Sequence, residues 1–213
     1  LPAYNEEEYI AELVKQGRRF VDEVIVVDDC SRDQTYHRAM ESGALVLHHK
    51  INLGKSCAMK TGCEAAIILN ADLIALMDSD GQHKPSDLPR FFKEMELKRA
   101  DIVIGARSQE KKSPLVRFYG NKLLALLVVA LFGVRIKDIQ SGFRVFRSEV
   151  FQGLNWVSNN YHADAEMTVR IGKKRLDYSE ISIESIYIDK HKGMTPIDGI
   201  ALALNIIKWK FTL

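Results

Sequence analysis

The feature that most constrains the fold of this chain is a series of short apolar runs, each followed directly by polar residues. Four of them lie at 23–27, 44–47, 73–77 and 102–104. Continuous runs of this kind are typical of strands buried on both faces of a mostly parallel sheet, because such strands have no face turned to water. Segments with helical patterns lie between them. The order of elements predicts an α/β fold, a Rossmann-like open and mostly parallel sheet flanked by helices.

Two signals predict where early helices begin and end. Asn5 is followed three residues later by Glu8, which is the spacing of a capping box and predicts a helix to about Arg18. Gly43 stands where a glycine just past a helix end is expected, so a second helix is predicted from near Asp33 to that glycine. Both helices would lie between predicted strands and cover the sheet.

The composition is that of an ordinary globular chain. The 213 residues include 30 Lys+Arg against 28 Asp+Glu, a net charge of +2, and the hydrophobic fraction is 46%. These values exclude a disordered chain and argue against nucleic acid as a partner, because the bulk charge would not attract a phosphate backbone. The length, without repeats or linkers, predicts one domain over residues 1–213.

Cysteine usage and the chain ends bear on compartment and extent. Three cysteines are too few, and odd in number, for a disulfide framework, so a reducing compartment is predicted. No apolar run reaches the roughly 18–20 residues that a membrane-spanning helix needs. The chain opens at Leu1 without an initiator methionine and stops at Leu213 partway through an amphipathic pattern. We expect it to be part of a longer protein, and a membrane segment beyond Leu213 is left open.

Acidic residues cluster where predicted strands end. Asp28 and Asp29 follow the first apolar run, and Asp78 and Asp80 follow the third. In open α/β sheets ligands bind beyond the carboxyl ends of the strands. Carboxylate oxygens are ligands that Mg²⁺ and Mn²⁺ favour. The sequence therefore predicts a divalent-cation site at Asp78 and Asp80, with a solvated acidic turn as the alternative.

Two phosphate-binding motifs are absent or incomplete. No G-x-G-x-x-G occurs, which argues against a dinucleotide fold. Gly54, Lys55 and Ser56 match the end of a phosphate loop, but His49 stands where that pattern needs its first glycine. The segment is therefore expected to start a helix, with Lys55 near a phosphate.

Two apolar segments late in the chain are candidates for a membrane surface. Residues 114–134 are apolar nearly all round, so they form either a buried core helix or an interfacial one. The basic residues at the start of this segment are Lys111, Lys112, Arg117 and Lys122. They favour the interfacial helix. Residues 196–211, with Trp209 between two lysines, predict a second, amphipathic helix of interfacial character.

Taken in order, the motifs of this chain resemble those of the family-2 glycosyltransferases of GT-A fold. The matching segments are LPAYNEE (1–7), VVDDCSRD (26–33), NLGKSCA (52–58), MDSDGQH (77–83), DIVIGAR (101–107) and DIQSGFRVF (138–146). With the basic-then-apolar helix, the chain looks more like the polyprenyl-phosphate sugar synthases, which include dolichol-phosphate mannose and glucose synthases. The resemblance implies inverting transfer of a sugar from GDP-mannose or a UDP-sugar to a polyprenyl or dolichyl phosphate. It also implies Mg²⁺ or Mn²⁺ and a place at the cytoplasmic face of a membrane.

On the donor side, the resemblance implies roles for three groups of residues. Those that hold the base and ribose are Pro2, Tyr4, Glu6, Val27 and Asp29. Those that bind the diphosphate are Asp78, Ser79, Asp80, Gln82 and Arg107, and the metal ligands among them are Asp78, Asp80 and Gln82. In the family an arginine-bearing loop before the last helix closes over the diphosphate. Here Lys190 and Lys192 stand in that loop and would act as point charges without bidentate geometry.

On the acceptor side, the resemblance implies that Arg117 lies near the lipid phosphate. The residues that would line the acceptor side are Ser141, Gly142, Phe143 and Arg144. Asp164 and Glu166 fall where related enzymes carry acids near the transferred sugar. The predicted catalytic residues are therefore Asp80, Arg117, Asp164 and Glu166. A phosphate monoester, with a second pKa of about 6, is already an ionised nucleophile and needs no strong general base.

Other interpretations use parts of the same pattern. A sugar nucleotidyltransferase would carry a glycine-rich, arginine-containing loop after its first strand, where Asn5, Glu6 and Glu7 stand. A haloacid-dehalogenase-type phosphatase would have its acids after the first strand, whereas Asp78 follows a later one. A family-2 glycosyltransferase with another acceptor, a glycan or a different lipid, stays open, as does a non-catalytic module that binds sugar nucleotides.

Overall fold

The strands form where the sequence places its apolar runs. The computed structural model describes residues 1–107, 115–158, 162–184 and 196–213, with the backbone alone at 115–119 and 196. The described strands are β1 (Pro2–Ala3), β2 (Ile25–Asp28), β3 (Leu45–His48), β4 (Leu73–Leu76), β5 (Ile102–Arg107), β6 (Arg144–Arg147) and β7 (Tyr178–Ile183). The four strands predicted from apolar runs are confirmed as β2 to β5.

Helices connect these strands. The described helices are α1 (Ile10–Gly17), α2 (Thr35–Glu41), α3 (Lys55–Ile68), α4 (Leu88–Lys98), α5 (Leu115–Phe132), α6 (Phe151–Leu154), α7 (His162–Lys174) and α8 (Pro196–Thr212). α5 and α8 agree with the predicted segments 114–134 and 196–211 to within two residues at each end. The predicted α/β fold with flanking helices is confirmed.

Two sheets carry the strands, in the orders β1-β2-β3 and β4-β6-β5-β7. The first sheet is parallel, and β7 runs parallel to β5, but β6 is antiparallel to both of its neighbours. The direction of β6 follows from the loop before it. Asp138 in that loop is bonded to Arg107 at the carboxyl end of β5, so β6 starts at that end and must run back. The predicted mostly parallel sheet is confirmed, with β6 as the exception.

The core lies on both faces of β5. Ile102, Val103 and Ile104 have no exposed surface. Ile102 and Ile104 pack with buried residues of α5, α7 and α8, whereas Val103 packs on the other face with Phe91 of α4. The continuous apolar run at 102–104 is explained by this arrangement, because alternating side chains of one strand reach two separate apolar layers.

The predicted capping box at Asn5 and Glu8 is wrong. α1 begins only at Ile10, and Asn5 has a left-handed backbone with φ +55. The Oδ1 atom of Asn5 accepts a hydrogen bond from the backbone N–H of Arg32 at 2.8 Å, so this side chain binds the loop after β2. The prediction for Gly43 is confirmed: α2 ends at Glu41, and the glycine follows with φ +89.

The helices α5 and α8 each have one buried side and one exposed apolar side. On α5, Leu124 and Val128 are buried, while Leu123 and Leu126 are 67% and 56% exposed. On α8, Leu202, Ile206 and Trp209 are buried. Its exposed apolar residues, which we call the α8 stripe, are Ile197, Ile200, Leu204, Ile207 and Phe211. They recur every three or four residues and therefore share one face. Among the helices described, none has the length and apolar content to cross a membrane.

Candidate active site

A pocket of about 380 Å³ opens at the carboxyl ends of β1, β2 and β4, beside the start of α3. Its lining residues are Pro2, Ala3, Tyr4, Glu6, Asp29, Asn52, Gly54, Lys55, Ala58, Asp78, Ser79 and Asp80. This is the edge at which open α/β sheets bind ligands. Seven residues predicted for the donor side line it together, and Lys55 lies with them.

The turn after β4 is fastened to β1. The Ser79 hydroxyl donates a hydrogen bond to the carbonyl oxygen of Pro2 at 2.5 Å, and Pro2 in turn pairs with Val27 of β2. Tyr4 stands at the rim and is 42% exposed. Val27 is buried beneath the pocket, close to Gly62 of α3, and is not part of the lining. Its predicted contact with the nucleotide stays a prediction.

Asp29 organises the loop that leads into α3. Its Oδ1 atom accepts hydrogen bonds from His49 Nδ1 at 2.7 Å and from the N–H of Leu53 at 2.9 Å. Its Oδ2 atom accepts from the N–H of Gly54 at 2.7 Å. Asp29 therefore fixes residues 53 and 54 at the wall of the pocket. The sequence predicted Asp29 as a ligand of the nucleotide but not this loop, because its partners stand 20 to 25 residues further along the chain.

Asp78 and Asp80 stand in the turn after β4, as predicted. The Oδ1 atom of Asp80 accepts a hydrogen bond from the N–H of Gln82 at 3.1 Å, so the turn folds back on Asp80. Gly81 between them has φ +74, which a glycine adopts without strain. Gln82 is not among the lining residues, and its predicted part in metal binding stays a prediction.

Lys55 lies between two carboxylates. Its Nζ atom is 2.6 Å from Asp78 Oδ1 and 3.4 Å from Asp164 Oδ2. Burial alone would lower the pKa of Lys55, but the charges of Asp164 and Asp78 raise it above its ordinary value. Burial would raise the pKa of Asp78, yet Lys55 lowers it; at Asp164, which is almost fully buried, burial prevails and the pKa is raised. The pocket therefore contains a lysine ammonium group that two carboxylates hold in place.

The residues of this turn fit a divalent cation that brings most of its ligands with it. Across the ranges that the structure describes, no group of three or more His, Cys, Asp and Glu side chains is placed to hold a metal ion. Mg²⁺ commonly binds one or two carboxylates and completes its shell with substrate phosphates and water. Asp78 and Asp80 line the same pocket, which is large enough to admit phosphates. They offer the two carboxylates that such a cation needs from the protein.

Arg107 is paired with Asp138 beside the pocket. Arg107 Nε lies 2.6 Å from Asp138 Oδ2, and Nη2 lies 3.0 Å from Oδ1. Burial would raise the pKa of Asp138, but the Arg107 charge and its hydrogen bonds lower it. The pair fastens the end of β5 to the loop before β6. Arg107 does not line the pocket, so its predicted phosphate contact stays a prediction.

The predicted acceptor loop lies against Asp78. A Cβ atom on Gly142 would be 2.5 Å from Asp78 Oδ2, so any other residue there would displace the Asp78 carboxylate. Arg144 is fully buried and donates to the carbonyl oxygens of Ser141 at 2.9 Å and Ile139 at 3.0 Å. Arg144 therefore shapes the loop through its backbone. Phe143, predicted with them, packs in the core with its ring 4.4 Å from that of Phe91.

Asp164 and Glu166 have different surroundings, although both lie near the start of α7. Asp164 reaches Lys55 at the pocket. Glu166 is fully buried, accepts a hydrogen bond from the N–H of Ser158 at 2.8 Å and pairs with Arg170 at 2.7 Å. Of the two predicted acids, Asp164 is placed toward the donor site, while Glu166 fastens the loop before α7.

Three predicted residues cannot be placed by their side chains. Arg117 lies in the first turn of α5, where the backbone alone is described. Lys190 and Lys192 lie outside the described residues, as do Lys111 and Lys112. Their predicted contacts stay predictions.

The fold and the pocket are those of an α/β protein with a ligand site at the carboxyl ends of its strands. A family model, Glycosyl transferase family 2, matches residues 1–154. The chain belongs to this family and is a glycosyltransferase of GT-A fold.

Named relatives cover most of the chain. It is 29% identical to the UDP-N-acetylglucosamine–dolichyl-phosphate N-acetylglucosaminyltransferase of Methanococcus voltae, over 89% of this chain and 85% of that one. It is 30% identical to a dolichyl-phosphate beta-glucosyltransferase of Trichomonas vaginalis, over 98% of this chain and 71% of that one.

The fold is similar to that of solved structures. One is glucosyl-3-phosphoglycerate synthase from Mycobacterium tuberculosis in complex with Mn²⁺, UDP-glucose and phosphoglyceric acid. The TM-score is 0.71, the sequences are 21% identical, and the match covers 99% of this chain and 76% of that one. This likeness establishes the fold.

Proposed function

We propose that this glycosyltransferase moves a sugar from a UDP- or GDP-linked donor to a polyprenyl or dolichyl phosphate at the cytoplasmic face of a membrane. The observation that carries the proposal is that Asp78, Asp80 and Lys55 line one pocket. Relatives of the chain are named for transfer to dolichyl phosphate. A sugar nucleotide presents a diphosphate and a leaving group that develops negative charge. The pocket wall offers the groups that such a ligand needs.

On the donor side, Asp78 and Asp80 would hold Mg²⁺ or Mn²⁺, with Gln82 beside them. A bound divalent cation neutralises the charge that develops on the leaving nucleoside diphosphate. Pro2, Tyr4, Glu6 and Asp29 line the pocket at the ends of β1 and β2, where they would hold the base and ribose. Because Ser79 is bonded to Pro2, β1 and the turn after β4 keep a fixed separation.

On the acceptor side, the loop at Gly142 lies against Asp78, so an acceptor phosphate there would be next to the donor diphosphate. A lipid monophosphate is largely ionised near neutral pH and attacks without a strong general base. A single displacement at the anomeric carbon inverts its configuration. Arg117, on the first turn of α5, would bind the acceptor phosphate, and Asp164 would stand near the transferred sugar.

The membrane surface is proposed from α5 and α8. The α8 stripe presents five large apolar side chains to solvent, and Leu123 and Leu126 of α5 are exposed as well. Exposed apolar patches of this kind mark interaction sites. Lys122 and Lys208 are exposed on the same two helices and would attract anionic headgroups. The three cysteines are free, which is compatible with a reducing cytoplasm.

The test is a transfer assay with a panel of donors. The purified chain is incubated with Mn²⁺ or Mg²⁺, vesicles that contain polyprenyl phosphate, and labelled UDP-glucose, UDP-N-acetylglucosamine or GDP-mannose. We expect label in the lipid phase with one of these donors, dependent on the lipid phosphate and abolished by a chelator. Release of nucleoside diphosphate without lipid label, or transfer to a glycan alone, would contradict the proposed acceptor.

A further inference from the structure

The ammonium of Lys55 connects carboxylates from distant parts of the chain. Lys55 Nζ contacts Asp78, in the turn after β4, at 2.6 Å, and Asp164, near the start of α7, at 3.4 Å. Carboxylates that share one site repel each other unless a positive charge lies between them. Lys55 supplies that charge, so it links the metal-binding turn to the helix on the other side of the pocket.

The start of α3 fixes the position of this ammonium. Lys55 is the first residue of the helix, and Gly54 before it adopts the left-handed region with φ +89. The N–H of Gly54 is held by Asp29 Oδ2 at 2.7 Å. The lysine side chain therefore leaves the backbone at a fixed point of the pocket wall, and its reach covers both acids.

Asp78 has little room to turn away from Lys55. A Cβ on Gly142 would lie 2.5 Å from Asp78 Oδ2, so the backbone of the acceptor loop closes off that side. His83 Nε2 stands 3.9 Å from the same oxygen. The Asp78 carboxylate therefore stays in place, and what can change is the cation that it contacts, which is either Lys55 or a metal ion.

Asp164 depends on Lys55 more than Asp78 does. The Asp164 side chain is 2% exposed, against 25% for Asp78. Its Oδ1 atom is buried and has no hydrogen-bond partner in the described part of the chain. A buried carboxylate with an unfilled oxygen is costly to keep. The contact with Lys55 therefore holds Asp164 toward the pocket, with the charge of the buried Arg144 acting on it as well.

We propose that Lys55 is a positioning residue for sugar transfer, one that holds Asp164 at the pocket and competes with a divalent cation for Asp78. The inference rests on the proposed function and predicts two effects of opposite sign. An uncharged side chain at position 55 removes the competitor, so Mn²⁺ binds more tightly in the absence of nucleotide. The same change releases Asp164, so kcat falls. A lysine that merely stabilised the fold, without contact to Asp78, would not strengthen Mn²⁺ binding when it is replaced.

The experiment measures free Mn²⁺ by electron paramagnetic resonance during titration of the full chain without nucleotide. We expect Lys55→Met to bind Mn²⁺ at least fivefold more tightly than the wild type, and its kcat to fall at least tenfold. Lys55→Arg keeps the charge and should stay within twofold of wild-type Mn²⁺ affinity. Lys98→Met, at the exposed end of α4, makes the same change of net charge far from the site and should leave Mn²⁺ affinity unchanged.

A second variant tests the competition from the other side. In Asp164→Asn, Lys55 pairs with Asp78 alone and competes more strongly with the metal for that carboxylate. The affinity for Mn²⁺ should therefore fall about threefold. This variant decides the matter if Lys55→Met does not fold. Unchanged or weaker Mn²⁺ binding by a folded Lys55→Met, or unchanged binding by Asp164→Asn, would overturn the inference. Because Mn²⁺ binding is read without acceptor, a wild-type chain that transfers no sugar but shows both shifts would contradict the proposed function and leave the competition standing.

Discussion

The donor pocket and the α8 stripe are built from opposite kinds of side chain. In the pocket three acids have partners at defined distances: Asp29 binds the loop before α3, Asp78 binds Lys55, and Asp80 accepts a hydrogen bond within its own turn. In the α8 stripe the side chains share a helical spacing and exposure to solvent. The pocket depends on the positions of a few atoms, whereas the stripe depends on apolar area. Single substitutions should therefore act sharply in the first region and gradually in the second.

The largest effect is expected at Asp80. Asp80→Asn removes one of the two carboxylates that would hold the cation, and loss of one preorganised electrostatic group at a reacting centre commonly costs about 100- to 1000-fold in rate. We expect a loss of this size in transfer, measured with saturating donor and Mn²⁺. Asp72→Asn is the matched control, because Asp72 is exposed at the opposite end of the same strand and should keep full activity. Near-normal transfer by Asp80→Asn would remove Asp80 from the site.

The next largest effect distinguishes the two acids of α7. Glu166→Gln leaves Arg170 without its ion-pair partner in a mostly buried position. We expect the free energy of unfolding to fall by about 2–3 kcal/mol, less than for a fully buried pair because Arg170 is partly exposed. Urea unfolding measures it. Asp164→Asn should instead lower transfer by a folded protein. If the two variants exchanged these effects, the placement of Asp164 at the pocket and Glu166 in the scaffold would be wrong.

The α8 stripe should respond in proportion to the area removed. Ile200→Ser with Leu204→Ser takes away two exposed apolar side chains, each worth about 1 kcal/mol at a membrane interface, so vesicle affinity should fall roughly 30-fold. Flotation with anionic vesicles measures it, and the pocket should still bind the donor. The matched control is Ile68→Ser with Leu97→Ser, two exposed apolar residues on α3 and α4. Equal losses of vesicle affinity in the two double variants would mean that the α8 stripe is not the membrane-binding surface.

The smallest effect concerns the ion pair of Arg107 and Asp138 beside the pocket. Because the Arg107 guanidinium lowers the pKa of Asp138, Asp138 contributes stability that is complete above the ordinary value near 4 and is lost as the pH falls through the lowered value. Asp138→Asn should therefore cost about 1 kcal/mol of unfolding free energy at pH 7, since Arg107 is partly exposed. The difference from wild type should shrink below pH 4. A difference that grew on acidification would contradict the pairing.

Local patterns made part of the donor pocket predictable from sequence. Asp29, Asp78 and Asp80 each follow a buried strand within a few residues, and ligands of open α/β sheets bind beyond such strand ends. Pro2 and Tyr4 were expected at the same pocket only from the family resemblance. The contacts that hold the pocket were not predictable in the same way. Lys55 joins Asp164 across 109 positions of the chain, and no local rule pairs them.

Two further outcomes show why some predictions failed or stayed open. The spacing of Asn5 and Glu8 fits a capping box, but a hydrogen bond to Arg32, 27 positions away, takes the Asn5 side chain instead. The sequence of α5 is apolar nearly all round, and such a pattern does not tell which side packs. Leu124 is buried and Leu123 beside it is exposed because α7 and α8 cover one side of the helix.

The most direct test of the account is the structure of the lipid product from a single turnover. Enzyme in excess over donor is mixed with vesicles that contain polyprenyl phosphate, and the lipid phase is analysed by mass spectrometry and by the anomeric coupling of the sugar. We predict one hexosyl or N-acetylhexosaminyl unit joined to the lipid phosphate, with the anomeric configuration opposite to that of the donor. A lipid phase without this phosphodiester, or a product that retains the donor configuration, would contradict the account.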